Sequence, residues 1–244
     1  MFGRKFLIFI FFSTFLFGQK NVENQQLLWY GYYNKLQINK NWVLNSEVQE
    51  RHFYQPLVQH QLVFRTNLDR RILDDINVSL GFVVFLQSPN DPESESTLMV
   101  PELRTDFGFN EKKKYKYFNV NQRFKVEARF FHQTENNELV GGYQFSNFRM
   151  RYQLGLDIPL IKKQDAEKLI LKIKDEVMFN FGKNIVKNVF DQNRIYIGLN
   201  YPMNKNLAFE AGYLNWFQQR PSGTDFYNRD IIRFSVFHTI NLKK

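Results

Sequence analysis

The sequence predicts an all-β fold, an antiparallel up-and-down transmembrane β-barrel of about 10–12 strands over residues 19–244. Three observations predict it. From about Gln26 to Leu242, segments of roughly a dozen residues alternate apolar and polar positions, with turn-formers between them. The polar positions hold Arg, Glu, Asp, Asn and Gln rather than only Ser and Thr, so each strand has one greasy and one charged face, as a wall between lipid and water requires. The segments are also long, about 10–16 residues, where soluble strands average five or six and a tilted membrane strand needs about 9–11. Aromatic residues make up 17% of the chain and collect near segment ends: Trp29, Tyr30, Trp42, Tyr54, Tyr117, Tyr143, Phe181, Tyr201, Trp216 and Phe217. Such girdles mark membrane interfaces.

The first strand is expected over Gln26–Ile38, with Leu28, Tyr30, Tyr32, Leu36 and Ile38 on one face and Trp29, Gly31, Tyr33, Lys35 and Gln37 on the other. Asn39-Lys40-Asn41 turns the chain into Trp42–Tyr54, where Asn45, Glu47, Gln49 and Arg51 point inward. Val58–Arg70 sets Leu62, Phe64 and Leu68 against Gln59, Gln61, Arg65, Asn67 and Asp69, and Asp74-Asp75 ends it. Ile76–Gln87 alternates from Ile76 to Leu86. Leu98–Asn110 sets Leu103, Phe107 and Phe109 against Glu102, Arg104, Asp106 and Gly108, and Glu111 to Lys114 reads as a charged turn. Tyr117–His132 opposes Phe124, Val126 and Phe130 to Arg123, Lys125, Glu127 and Arg129. Tyr143–Ile158 opposes Phe148, Met150 and Leu154 to Arg149, Arg151 and Asp157. Lys168–Gly182 carries Lys172, Lys174 and Glu176 inward, and places Asp175 on the greasy face, which calls for a bulge or a position near the interface. Gln192–Tyr201, Asn206–Gln218 and Asp230–Leu242 complete eleven segments, adding Arg194, Glu210 and Arg233 to the charged face.

Short turns follow the odd segments. Longer connections, Ser88–Thr97, Gln133–Gly142, Lys183–Asp191 and Gln219–Arg229, follow the even ones, except after the second at Gln55-Pro56. This places the C-terminus on the periplasmic side and starts the first strand outside. Bacterial single-chain barrels have even strand numbers. The expectation is therefore twelve, with an extra strand begun within Asn21–Tyr33, or else ten.

Residues 1–18 read as a secretory signal: Arg4 and Lys5, an apolar run Phe6–Phe17, and Gly18 before the cut. No Cys is present, which excludes disulfides, thiol catalysis, Cys-ligated metals and a lipidated mature terminus. The formal net charge of +9 is spread through the strands and mixed with acids, and no nucleic-acid motif accompanies it. Outer-membrane lipids of a Gram-negative bacterium are the expected partners, and protein partners stay open. The rival fold is a secreted β-sandwich or lipocalin-like barrel, with the apolar faces packed inward and the charges solvated.

The stretch Asp191-Gln192-Asn193-Arg194-Ile195-Tyr196-Ile197-Gly198-Leu199, followed by Glu210-Ala211-Gly212-Tyr213-Leu214-Asn215, resembles a signature of an uncharacterised bacterial family, domain of unknown function 2490. Trp29, Trp42, Leu44, Glu47 and Arg51 fit the same family. The resemblance spans nearly the whole mature chain. It implies an outer-membrane barrel and assigns no activity.

The functional candidates are the inward charges: Glu47, Arg51, Arg65, Glu102, Arg104, Asp106, Arg123, Glu127, Arg129, Arg149, Arg151, Glu176, Arg194 and Glu210. Together they form a cross-strand salt-bridge network that plugs a narrow lumen, or a small polar pore whose selectivity they set. Catalysis is not expected. His60 and His238 fall on outward positions, His52 and His132 lie near strand ends, and no Gly-x-Ser-x-Gly elbow accompanies them. A lipid hydrolase is the remaining enzymatic reading, with His132 and Glu135 its nearest base pair. No metal-ligand spacing occurs, the acids Asp91, Glu93 and Glu95 read as solvated charge, and no cofactor is expected. Gly31, Gly81, Gly108, Gly155, Gly198 and Gly212 all fall inward, where a missing side chain makes room for a large neighbour or lets the wall bend.

Overall fold

The computed structural model describes residues 21–163, 166–185 and 187–242, so the expected signal lies outside the described residues. Eleven strands form one closed barrel: β1 (Val22–Gln37), β2 (Trp42–Phe53), β3 (Gln59–Arg71), β4 (Ile76–Gln87), β5 (Val100–Lys114), β6 (Asn119–Glu135), β7 (Glu138–Lys163), β8 (Ala166–Phe181), β9 (Phe190–Pro202), β10 (Leu207–Gln219) and β11 (Phe226–Asn241). Each strand pairs antiparallel with its sequence neighbours. β1 and β11 close the ring in parallel, in unbroken register from Val22↔Phe226 to Gln37↔Asn241.

The parallel seam follows from the odd count. In an up-and-down meander the first and eleventh strands run the same way, so they can meet only in parallel, a pairing slightly weaker per residue but still complete in hydrogen bonds. The expectation of ten or twelve strands is corrected accordingly. Asn21–Tyr33 holds no extra strand, because residues from Val22 onward belong to β1 itself. The start of β1 lies beside the β2–β3, β4–β5, β8–β9 and β10–β11 connections, here called the loop end. Tyr54 N donates to Gln26 O at 2.8 Å, and Phe226 N to Asn21 O at 2.9 Å. The turns at 38–41, 72–75, 115–118 and 203–206 and the end of β11 lie at the opposite, turn end.

The side chains face as the alternation demands. Phe124 is 39% exposed, Leu154 41% and Ile197 48%, whereas Arg151 is 5% exposed and Glu127 fully buried. The apolar faces are therefore outside and the charges within, the reverse of a β-sandwich. Asp175 stays on the outer face in regular register between Leu154 and Ile195, with no bulge at its position. Its carboxylate accepts from Asn193 Nδ2 at 2.6 Å.

Two connections differ from the sequence expectation. Glu111 to Lys114 is strand, not turn, and the chain reverses at 115–118, where Tyr115 N donates to Phe118 O at 2.9 Å. Gln133–Gly142 is not a long loop. β6 and β7 run on as a hairpin closed by Asn136 and Asn137, both with positive φ (51° and 62°). That is the conformation of the tight primed hairpin turn, which Asn tolerates because its short side chain bonds locally.

Trp29 and Trp216 are the main corrections to the aromatic girdle. Both are enclosed in the barrel, while Tyr30, Tyr54, Tyr117, Tyr143, Phe181 and Tyr201 are exposed. Trp29 shares the inward face of Gly31 and Tyr33, and lying near a strand end does not decide the face. The inward glycines Gly198 and Gly212 sit directly opposite each other, and the Tyr196 ring lies over them. A Cβ on Gly212 would come within 2.4 Å of Ile197 O, an atom of the backbone that cannot rotate away. Gly212→Ala is expected to cost about 1–3 kcal/mol through overpacking, read as a lower urea midpoint of the folded barrel. An unchanged midpoint would mean that the wall relaxes around the methyl group.

Candidate functional site

A buried charge is tolerated only when a partner or several hydrogen bonds replace its lost hydration. Strand register alone works against that here. Arg104 is directly opposite Arg129, and Asp106 directly opposite Glu127, so the nearest cross-strand neighbours repel. The side chains solve this by pairing along the strand and diagonally. Glu102 takes Arg104 Nε and Nη2, both at 2.7 Å, and also Arg129 Nε at 2.6 Å. Asp106 takes Lys125 at 2.7 Å and Asn67 at 2.9 Å. Glu127 accepts from Arg151 Nη1 at 2.5 Å, with Arg104 and Arg149 each 3.8 Å away. Glu176 binds Arg151 at 2.9 Å and Arg123 at 2.7 Å. Arg149 turns to Asp191 at 3.0 Å, and Glu47 pairs with Arg65. These contacts join β5, β6, β7, β8 and the start of β9 into one ionic sector, with Glu47–Arg65 beside it on β2 and β3.

The opposite sector, on β1, β2 and β9–β11, is built differently. Arg51 lies 3.7 Å over the Trp29 ring and donates to Gln61 and, at 2.7 Å, to Gln49. Arg194 lies 4.4 Å over Trp216, and Arg229 4.6 Å over the same ring. Arg229 donates to Gln25 at 2.7 Å, to Gln218, and to Asn90 at 3.2 Å. Arg233 donates to Tyr33 Oη at 2.7 Å and lies 5.3 Å over Trp29. No carboxylate pairs with any of these four among the described residues. Aromatic faces and amide oxygens take that place, and a desolvated guanidinium over an aromatic ring gains about 2 kcal/mol. Glu210 accepts from Tyr196 Oη at 2.9 Å and Asn200 at 3.2 Å, with no cation bonded to it among the described residues.

All fourteen residues singled out in the sequence thus face the interior, but they form two sectors rather than one lattice. Arg51, Arg194 and Glu210 stand outside the ion pairs. Sequence reasoning left Lys125, Asp191, Arg229 and Arg233 out of the network, and it missed Trp29 and Trp216 as interior partners of arginine. Alternation along β1 already placed Trp29 inward and was the available signal.

Bulges account for two further differences. At the β2–β3 seam Arg51 faces Gln61 while His52 faces Gln59, so His60 is an extra residue. It points inward, fully buried against Phe53 at 4.6 Å between ring centroids, not outward as alternation predicts. At the β8–β9 seam Met178 faces Gln192 and Phe179 faces Phe190, which leaves Asp191 as the extra residue. Asp191 and Gln192 can then both be buried, and the stretch read as a strand-entry turn lies inside β9. The other histidines are separate. His52 pairs with Glu50 at 3.1 Å, His238 Nδ1 is 2.9 Å from Tyr32 Oη, and His132 packs on Tyr143.

Two cavities open within the barrel, one of about 410 Å³ at the loop end and one of about 390 Å³ at the turn end. No residue lines both. On β6, Arg129 lines the first and Lys125 the second, and Glu127 lies between them. Glu127→Gln is expected to destabilise the barrel by about 3–5 kcal/mol, since it removes the buried negative charge that Arg104, Arg149 and Arg151 share. Glu50→Gln, on the half-exposed Glu50–His52 pair, should cost less than about 1 kcal/mol. Urea unfolding followed by tryptophan fluorescence measures both, and equal losses would rule out a special place for Glu127.

No curated protein and no solved structure matches this chain. A family model does, that of the protein of unknown function DUF2490, over residues 26–228. That span runs from β1 into β11 and takes in all fourteen of the interior charges singled out in the sequence, so the chain belongs to the DUF2490 family.

Proposed function

We propose that this protein is an integral outer-membrane β-barrel of a Gram-negative bacterium, exported by residues 1–18, with its interior closed by its own side chains and with a structural or binding role rather than a catalytic one. The observation that carries the reading is the outer wall. Leu80, Phe107, Ile195, Ile197, Leu199, Phe209 and Phe234 are all exposed, on strands from β4 round to β11. Soluble monomers rarely expose more than a few hundred Å² of contiguous apolar surface, whereas hydrocarbon tails solvate such a wall without cost. Outer-membrane lipids are then its partners over most of its surface.

Closure is supported by the layer between the two cavities. Glu127, Arg151 and Glu176 meet there from three neighbouring strands, and Trp29 and Tyr196 are buried in the other sector. The long connections at one end favour that end as the outer one, which sets the start of β1 at the cell surface and the end of β11 in the periplasm.

The protein is expected to fractionate with outer membranes and to migrate faster on a gel unheated than boiled. Recovery in the soluble fraction, with no heat-dependent shift, would remove the reading. Phe107→Arg, at the middle of β5 between Leu80 and Val126, should cost about 2–4 kcal/mol in lipid vesicles, while an exposed arginine on a water-soluble sheet would cost nothing measurable. In planar bilayers the wild-type barrel should pass no current at any voltage, and steady single-channel steps would replace the closed interior with a pore.

A further inference from the structure

We propose that the loop-end cavity is a binding site for a small phosphate-bearing solute, with Arg194 the residue that receives its oxyanion. The site does not depend on the membrane reading, since it is formed wholly by the inner face of the barrel and its connections.

The cavity is lined by five arginines, Arg104, Arg129, Arg149, Arg194 and Arg220, against two carboxylates, Glu102 and Asp191. Both carboxylates are already engaged. Glu102 is held by Arg104 and Arg129, and Asp191 by Arg149 at 3.0 Å and Asn180 at 2.9 Å. Arg220 is taken by Glu23 at 3.0 Å. Arg194 alone of the five has neither a hydrogen bond nor an ion pair among the described residues. It rests on the Trp216 ring, and its Nε is buried with no acceptor. Trp216 Nε1, a donor in the same lining, is buried and unpaired as well. A half-buried guanidinium whose Nε has lost water and gained no acceptor is left short of its hydration. It is also the group best shaped to take two oxygens of a phosphate or carboxylate at once. The lining has three more cations than anions, so a phosphate dianion offsets more of the excess than a carboxylate does.

The backbone supports the same assignment. The β2–β3, β6–β7 and β8–β9 seams each carry a bulge at this end of the barrel, and bulges re-aim side chains at barrel rims and binding sites. The extra residue Asp191 on β9 lines the cavity. So does Ser146 on β7, skipped between the pairs Arg129↔Asn147 and Phe130↔Phe145. The β4–β5 connection bends in over the mouth, where Asn90 O accepts from Gln25 at 2.9 Å and Asn90 Oδ1 from Arg229 at 3.2 Å. Phe85, Phe131, Trp216 and Tyr227 add aromatic walls for the body of a solute. At about 410 Å³ the space lies within the usual range of small-molecule sites, about 300–1,000 Å³.

Calorimetric titration of the full-length barrel in detergent micelles tests the assignment, with inorganic phosphate, glycerol phosphate, glycerol, and chloride at matched ionic strength. Saturable heat is expected from the two phosphates and none from glycerol or chloride. Tighter binding of glycerol phosphate would identify an esterified ligand, such as a lipid headgroup fragment, and equal binding would identify free phosphate. Arg194→Gln should weaken binding at least about tenfold, a loss of about 1.4 kcal/mol. Arg194→Lys, which keeps the charge and loses the fork, should fall between the two, and it carries the test if the Gln variant does not fold. Lys35→Gln, in the turn-end cavity, should bind as wild type. No saturable heat from either phosphate, or wild-type affinity in both Arg194 variants, overturns the proposal.

Discussion

Enclosure of charge is the constraint on which this barrel depends. Its wall is apolar outside and ionic inside, so each interior charge must find its counterpart among the few strands that surround it. Between β5 and β6 the register sets like charges opposite each other, Arg104 with Arg129 and Asp106 with Glu127. Only the length and fork shape of arginine allow the diagonal pairings that relieve this. Glu102 binds two guanidiniums at once, and Arg151 spans from Glu127 to Glu176. A lysine reaches as far but presents one point of charge, and Lys125 on β6 serves one carboxylate.

The other side of the interior meets the same constraint without acids. Arg51, Arg194, Arg229 and Arg233 stack on Trp29, Trp216, Tyr33, Tyr196 and Tyr227. Such large rings need space inside a closed wall, and the glycines create it. The facing pair Gly198 and Gly212 lets Tyr196 lie against the strands, and Gly31 does the same for Tyr33. Excess positive charge is therefore concentrated beside the aromatic sector, and it emerges at the loop end through Arg194.

The odd strand number and the bulges shape that end. With eleven strands the chain starts among its long connections and finishes among its short turns, so the parallel seam adds the start of β1 to the loop end. Glu23 and Gln25 become part of that rim, where they meet Arg220 and Arg229. Extra residues at Asp191, Ser146 and His60 break strict alternation there and turn more polar groups inward than alternation alone supplies.

Alternation by itself determined the β class, the run of eleven segments and the face of nearly every residue, because a side-chain period of two follows from strand geometry and needs no partner. It also brought Glu47, Arg65, Glu102, Glu127, Arg151 and Glu176 to one interior. It did not reach the parallel seam, because strand pairing at closure depends on residues some two hundred apart. It placed His60 outward and read Asp191 as a turn, because a bulge shifts the face only where two strands are already paired. It left Trp29 and Trp216 in an interfacial girdle, because aromatic composition at a strand end is the same whichever way the ring points. Which charges pair, and which guanidinium is left facing an open cavity, was decided by the closed barrel alone, where cross-strand distances of a few ångströms select among partners the linear chain leaves equivalent.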